Sequence, residues 1–167
     1  LISDKNILKQ SIMEYTIRAC EKMRNQNTRA QSIYIFLQTN KFNKGRQHNE
    51  GIMVGLNIPC SDTGPIIKLA SSAIDRIYKP GYLYQKAGIM LLDLISVNIN
   101  QRDFFENTNH SLSDNRMQVV DSINKKFGSG TISNGTLRYK GKNEWSGKKY
   151  YLSDRYTTQW DELPHVI

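Results

Sequence analysis

Two segments near the start of the chain alternate strictly between aliphatic and other side chains, which limits the folds available to it. The aliphatic residues occupy every odd position from 33 to 37 in the first segment, and every even position from 52 to 58 in the second. A period of two is typical of a strand with one face buried. The polar loop 40–50 joins the segments, so we predict an antiparallel hairpin.

Helical periodicity flanks this hairpin on both sides. Apolar residues spaced by three and four between positions 8 and 23 predict a helix that Ser3 can cap and that ends near Asn25. A second amphipathic helix, capped by Asp62 or Thr63, follows the hairpin. A third strand, 84–94, completes the order α-β-β-α-β. Two helices with one apolar stripe each can cover only one face of the sheet, so the other face is left free.

The chain changes character beyond position 95 and divides into three predicted parts. Residues 1–95 form the α+β domain, and the polar, aperiodic stretch 96–113 reads as a linker. The remainder, 114–167, predicts a helix capped by Asp114 and then short strand-like pieces. These pieces are too few for a core of their own and favour a small hairpin packed on that helix.

Composition narrows the class of protein and its partners. Lys and Arg outnumber Asp and Glu by 23 to 15, and a net charge of +8 favours a polyanionic partner. Two cysteines without metal-site spacing indicate a reduced, cytoplasmic protein. No apolar run is long enough for a membrane span. The chain begins at Leu1 without an initiating Met, which we interpret as a fragment of a longer protein.

The predicted linker contains the pentapeptide Gln101-Arg102-Asp103-Phe104-Phe105. A short extended peptide binds by inserting an amide and two apolar anchors into pockets on its partner, and this segment has those groups. Alternatively, Phe104 and Phe105 fold back onto the domain, and the peptide alone leaves both interpretations open. The pattern resembles the bacterial sliding-clamp binding peptide, with Arg102 and Phe104 where leucine is common. The resemblance implies that Gln101, Asp103, Phe104 and Phe105 contact the beta clamp.

Four ordered segments carry a longer resemblance. They are FLQTNKF (36–42), YQKAGIML (84–91), DSINKKFGSGT (121–131) and LSDRYTTQWDELP (152–164). In this order they are similar to the C-terminal portion of UmuC-like, Y-family translesion DNA polymerases. Asp154 and Gln159 depart from the Pro and Arg that are usual in the family's C-terminal motif.

This resemblance implies a little-finger fold, an antiparallel sheet with two helices on one face. In that family the domain is built β-α-β-β-α-β, so the chain would lack its first strand and the catalytic palm. Mg²⁺ would be bound in that absent palm, and no cofactor is expected in this segment. For the tail, the family implies a UmuD-prime dimer and a RecA filament as partners in the SOS response, with Arg155, Tyr156 and Trp160 as the contacts.

The sequence offers no catalytic or metal-binding constellation. A polymerase needs several carboxylates to hold two metal ions, and the adjacent pair Asp161 and Glu162 has no third carboxylate beside it. We interpret this pair as solvated or capping. The three histidines are far apart in predicted loops and at the terminus, so a zinc site is not expected.

Candidate DNA contacts lie at strand ends and in the hairpin loop. They are Gln38, Thr39, Lys41, Lys44, Arg46 and Lys86. Contacts of this kind grip phosphates without reading sequence, although each residue alone could equally belong to an ordinary solvated basic loop.

The leading hypothesis is a non-catalytic, DNA-gripping segment of an error-prone polymerase. It would hold damaged template-primer DNA through the free sheet face and tether itself to the sliding clamp, near the nucleoid. The alternative is a stand-alone DNA-binding or clamp-competing protein without polymerase activity.

Overall fold

The computed structural model describes residues 1–42, 44–98, 110–135, 153–154 and 163. Within these residues the fold is α+β, with three helices and a four-stranded antiparallel sheet. In chain order the elements are α1 (Lys5–Asn25), β1 (Thr28–Thr39), β2 (Asn49–Cys60), α2 (Thr63–Ile77), β3 (Tyr84–Leu92), β4 (Ile95–Ser96) and α3 (His110–Phe127). The predicted order α-β-β-α-β is confirmed, and both hairpin strands are longer than their aliphatic segments.

The sheet has the order β2-β1-β3, with the short β4 pairing the start of β1. Ile35 in the central strand faces Ile52 on one side and Ile89 on the other, both in antiparallel register. Ile33, Ile35 and Leu37 are fully buried beneath α1 and α2. The core therefore lies between one sheet face and the helices, as the alternation predicts.

Carboxylates cap the first two helices. The Asp4 side chain, and not the predicted Ser3, accepts hydrogen bonds from the backbone N–H groups of Asn6 at 2.6 Å and Ile7 at 3.4 Å. At the second helix Asp62 is the cap, accepting from Gly64 at 2.9 Å. Each carboxylate satisfies backbone donors that have no partner inside the first helical turn.

The third helix begins earlier than the sequence indicates. It starts at His110, inside the stretch assigned to the linker, and not at Asp114. Asp114 is instead a long-range partner: it pairs with Arg29 at 2.5 Å and accepts from Ser61 at 2.5 Å. Phe127, the last residue of α3, is 65% exposed.

Charged side chains attach α3 to the rest of the domain. Arg24 near the end of α1 makes a two-pronged pair with Asp121, at 2.6 and 2.7 Å. Its remaining nitrogen donates to the Ser61 carbonyl at 2.9 Å and to the Thr63 hydroxyl at 2.8 Å. Asp62 also pairs with Arg116. The contact between α3 and the helical layer thus includes several charged pairs, whereas the core beneath it is apolar.

Candidate nucleic-acid interface

Three cross-strand rows with β1 in the middle form the part of the sheet that lies nearest the hairpin loop, on the face away from the helices. From the loop end inward they are Asn49–Gln38–Lys86, Gly51–Phe36–Gly88 and Met53–Tyr34–Met90. We call this surface the open face. Gln38 and Lys86, both predicted DNA contacts, are direct neighbours in the first row. Tyr34 and Phe36, which alternate with the buried residues of β1, share this face with them.

Thr39 does not belong to the open face. The pairing of β1 with β3 shifts register between Gln38 and Thr39, and Thr39 is only 6% exposed. Its hydroxyl donates to the Gln47 side chain at 2.8 Å and accepts from the His48 backbone N–H at 3.0 Å. Thr39 therefore holds the base of the hairpin loop and is not placed to touch a ligand on the open face.

The loop between β1 and β2 presents three cations at the Gln38–Lys86 end of the sheet. Lys41, Lys44 and Arg46 are all exposed. Within the described ranges, neither these residues nor Lys86 take part in an ion pair. Their charges are therefore available to an anion, which is the property that phosphate contact requires.

A hydrogen-bond network centred on the buried side chains of His48 and Tyr84 lies at the base of this loop. The two ring nitrogens of His48 lie 2.8 Å from Glu50 Oε2 and 2.9 Å from the Tyr84 hydroxyl, which accepts from the Lys79 backbone N–H at 3.0 Å. The hydrogen bond with His48 and the contact with Lys79 hold the pKa of Glu50 below its ordinary value. Burial raises the pKa of Tyr84. The network ties the start of β2 to the start of β3.

Sequence reasoning considered His48 only as a metal ligand and missed this structural role. The signal available was the spacing of His48 and Glu50, because residues two apart share a face of a strand. Tyr84 comes from a distant segment, and nothing local in the sequence pairs it with His48.

The centre of the open face is apolar. Tyr34 and Phe36 are half-buried, whereas Met53 and Met90 are 63% and 50% exposed. Lys86 is the one cation within the three rows, so positive charge is concentrated at the loop end. The predicted phosphate contacts would therefore lie at the loop end of this face and not at its centre.

Several predicted contacts lie outside the described residues. These are the clamp-peptide residues Gln101, Asp103, Phe104 and Phe105, and the tail residues Arg155, Tyr156 and Trp160. In the part of the chain that is described, no cluster of His, Cys, Asp and Glu could hold a metal ion. No helix there is long and apolar enough to cross a membrane.

Comparison with known proteins connects both halves of the chain to described families. Residues 1–104 match the impB/mucB/samB family C-terminal domain, and residues 116–166 match a domain of unknown function, DUF4113. The Salmonella typhimurium protein UmuC is 32% identical over 99% of this chain and 39% of its own length. Proteins ImpB and SamB of Salmonella typhimurium are 29% and 32% identical, over 98% and 94% of this chain.

The chain spans about two fifths of the length of these relatives, with values of 39%, 38% and 37%. No solved structure matches it significantly.

Proposed function

The chain belongs to the impB/mucB/samB family through the C-terminal domain of that family, and we propose that it grips DNA for an error-prone translesion polymerase. In this role it binds template-primer DNA during the response to DNA damage and contributes no catalytic carboxylates. The observation that carries the proposal is the open face, because no helix among the described residues packs on that side of the sheet. Lys41, Lys44, Arg46 and Lys86 border that face, and in the part of the chain that the structure describes they have no acidic partners.

Charge placement supports a grip that is indifferent to sequence. The loop cations and Lys86 lie at one end of the sheet, where they can follow a phosphate backbone. Because such binding releases condensed counterions, its affinity falls steeply as salt concentration rises. Base-specific readout would instead need side chains that enter a groove and pair with base edges.

A triple variant tests this proposal directly. Replacing Lys41, Lys44 and Arg46 by Gln should weaken binding to a mixed-sequence duplex by about tenfold or more at low salt, and should flatten the salt dependence by about 2 to 3 in logarithmic slope. Fluorescence anisotropy at several salt concentrations measures both quantities.

The matched control removes the same charge from the helical side of the molecule. Lys68, Arg76 and Lys125 are exposed residues of α2 and α3, and their replacement by Gln also lowers the net charge by three. If both triple variants lose affinity equally, the loop is not the binding surface. Binding by the unaltered chain that does not respond to salt would contradict the proposal altogether.

The sliding clamp is the second proposed partner, through Gln101, Asp103, Phe104 and Phe105. Replacing Phe104 and Phe105 together by Ala would remove two anchors, each typically worth 2 kcal/mol or more, so clamp affinity should fall roughly a thousandfold. Surface plasmon resonance measures the affinity, and a melting curve of the same variant serves as the control. A lower melting temperature with unchanged clamp affinity would show that these residues belong to the fold.

We also propose the tail residues Arg155, Tyr156 and Trp160 as contacts for a UmuD-prime dimer and a RecA filament. The match of residues 116–166 to a domain found beside the impB/mucB/samB domain in this chain is compatible with a separate role for the tail.

A further inference from the structure

The two aromatic rings at the centre of the open face lie flat on the sheet. A Cβ atom built on Gly51 would lie 2.6 Å from Cζ of Tyr34, and one built on Gly88 would lie 2.6 Å from Cζ of Phe36. The far end of each ring thus occupies the position of a side chain on a neighbouring strand. A ring standing upright on β1 could not reach there, so each ring lies across its neighbour.

The rings lean in opposite directions and form one surface. Tyr34 extends over β2 and Phe36 extends over β3, so the pair spans three strands. Their centroids are 6.2 Å apart and their planes differ by 26°. The two rings are nearly parallel, each rests on the backbone at a glycine, and both residues remain partly exposed.

Glycine at positions 51 and 88 is explained by this arrangement. Both residues have ordinary strand conformations, since the glycines with positive φ are Gly81, Gly128 and Gly130 among the described residues. Backbone freedom is therefore not the reason for glycine. Glycine is required because it has no side chain, and any Cβ atom at position 51 or 88 would displace the ring above it.

The surroundings of the rings define what they can bind. The rows through Phe36 and Tyr34 contain only glycine and methionine besides the aromatics, so they offer no charged donor to a phosphate. One row further, towards the hairpin loop, Lys86 and the loop cations begin. The surface combines flat aromatic faces with positive charge along one border.

We propose that this surface is a stacking platform for unpaired bases, and that its ligand is a single-stranded segment of DNA. Flat aromatic faces beside a cationic border are the combination by which single-strand binding proteins hold bases and backbone together. Sheets that display two such rings also stack bases in RNA-binding modules. Bases within a duplex are stacked on each other and expose only their edges, so only an unpaired base can lie on Tyr34 or Phe36.

This inference rests on the proposed function, because it assigns a second kind of contact to the same open face. Phosphates of the DNA would lie at the loop end, and bases of an adjoining single strand would lie over the rings. The two contacts differ in chemistry, so they can be separated experimentally.

The test compares two single-stranded probes with the full chain. One probe is a 12-nucleotide oligodeoxythymidine, about the length that single-strand binding folds cover, and the other is an abasic strand of equal length and charge. We expect the chain to bind the thymidine strand at least about tenfold more tightly. Replacing Tyr34 and Phe36 by Leu should abolish this preference and leave binding to the abasic strand unchanged, because Leu keeps apolar cover on the sheet without a ring.

Two further variants keep the test decisive. Gly51→Ala combined with Gly88→Ala retains both aromatic residues but lifts their rings, and it should also reduce the preference. Phe127→Leu removes an exposed aromatic ring from α3 and should change nothing. Equal binding of the two probes by the unaltered chain would overturn the platform, as would a Tyr34→Leu, Phe36→Leu variant that keeps the preference.

The outcomes also distinguish this inference from the proposed function. Salt-dependent duplex binding without any preference for the thymidine strand would overturn the platform alone. Loss of duplex binding as well would contradict both. Self-association of the chain that the leucine variant abolishes, with equal binding of both probes, would assign the face to protein contact and overturn the platform.

Discussion

Alternate residues of the central strand β1 point to the two faces of the sheet, and different constraints determine which residues stand on each face. On the covered face Ile33, Ile35 and Leu37 are completely buried, and filling the space beneath the helices accounts for them. On the open face, Tyr34 and Phe36 lie over glycines that weaken a strand. Burial beneath the helices explains the first choice of residues, whereas the second leaves two aromatic rings partly exposed on glycines, and the stacking platform proposed above would account for that choice.

The largest difference between the faces should be seen in stability. Ile35→Ala removes a fully buried side chain between two neighbours in register and should lower the free energy of unfolding by about 2 to 5 kcal/mol. Met53→Ala on the open face should change it by about 0.5 kcal/mol or less. Denaturant unfolding of both variants measures the contrast, and similar losses would mean that the open face is covered in solution.

Thiol reactivity should separate buried from accessible positions by a large factor. Burial raises the pKa of Cys20 from the ordinary value of 9.0 to about 12, so the thiolate at neutral pH is about a thousandfold scarcer than for an ordinary thiol. Cys60 is partly exposed and should be alkylated first. Mass spectrometry after short iodoacetamide pulses measures both rates, and equal rates in the native protein would show that the core opens readily.

The same shift has a consequence for alkaline stability. Because the pKa of Cys20 is higher in the folded protein, the unfolded chain loses this proton first as pH rises. The Cys20 thiol therefore has no effect on the free energy of unfolding below about pH 9, and it lowers this free energy progressively between about pH 9 and 12. Chemical unfolding at increasing pH should therefore show a fall in the free energy of unfolding. This fall should be smaller in a Cys20→Ala variant than in the unaltered protein.

The smallest predicted effect concerns the fit between ring and glycine. Gly88→Ala alone should destabilise the protein by about 1 kcal/mol, because the Phe36 ring must move away from the new methyl group. In a Phe36→Ala background the same change should be neutral or stabilising, since Ala is the better strand residue. The double-mutant cycle should give a coupling of about 1 kcal/mol, and additivity would show that the ring does not depend on Gly88.

Much of the fold could be predicted because local periodicity and burial agree. The alternation that starts at Ile33 and Ile52 identifies the hairpin, and Asp62 stands at the expected helix start. Gln38 and Lys86 could be placed on one face because residues two apart share a side of a strand.

Thr39 could have been placed correctly from the local pattern, because it continues the inward series Ile33, Ile35 and Leu37. The other failures share a physical cause, which is that the deciding partner is distant in sequence. Asp114 looks like a helix cap, but Arg29, 85 positions away, determines its role. The flat rings of Tyr34 and Phe36 depend on glycines in two other strands, which become neighbours only after folding.

The contacts of Arg24 limit the substitutions that homologues can accept at this position. Its guanidinium joins α1, the start of α2 and α3 through Asp121, Ser61 and Thr63 at once. Lysine has one compact ammonium group and cannot reproduce this planar fork, so even that substitution would leave acceptors without their donor. Position 24 and position 121 should therefore change together between homologues, with a carboxylate retained at 121 wherever arginine occupies 24.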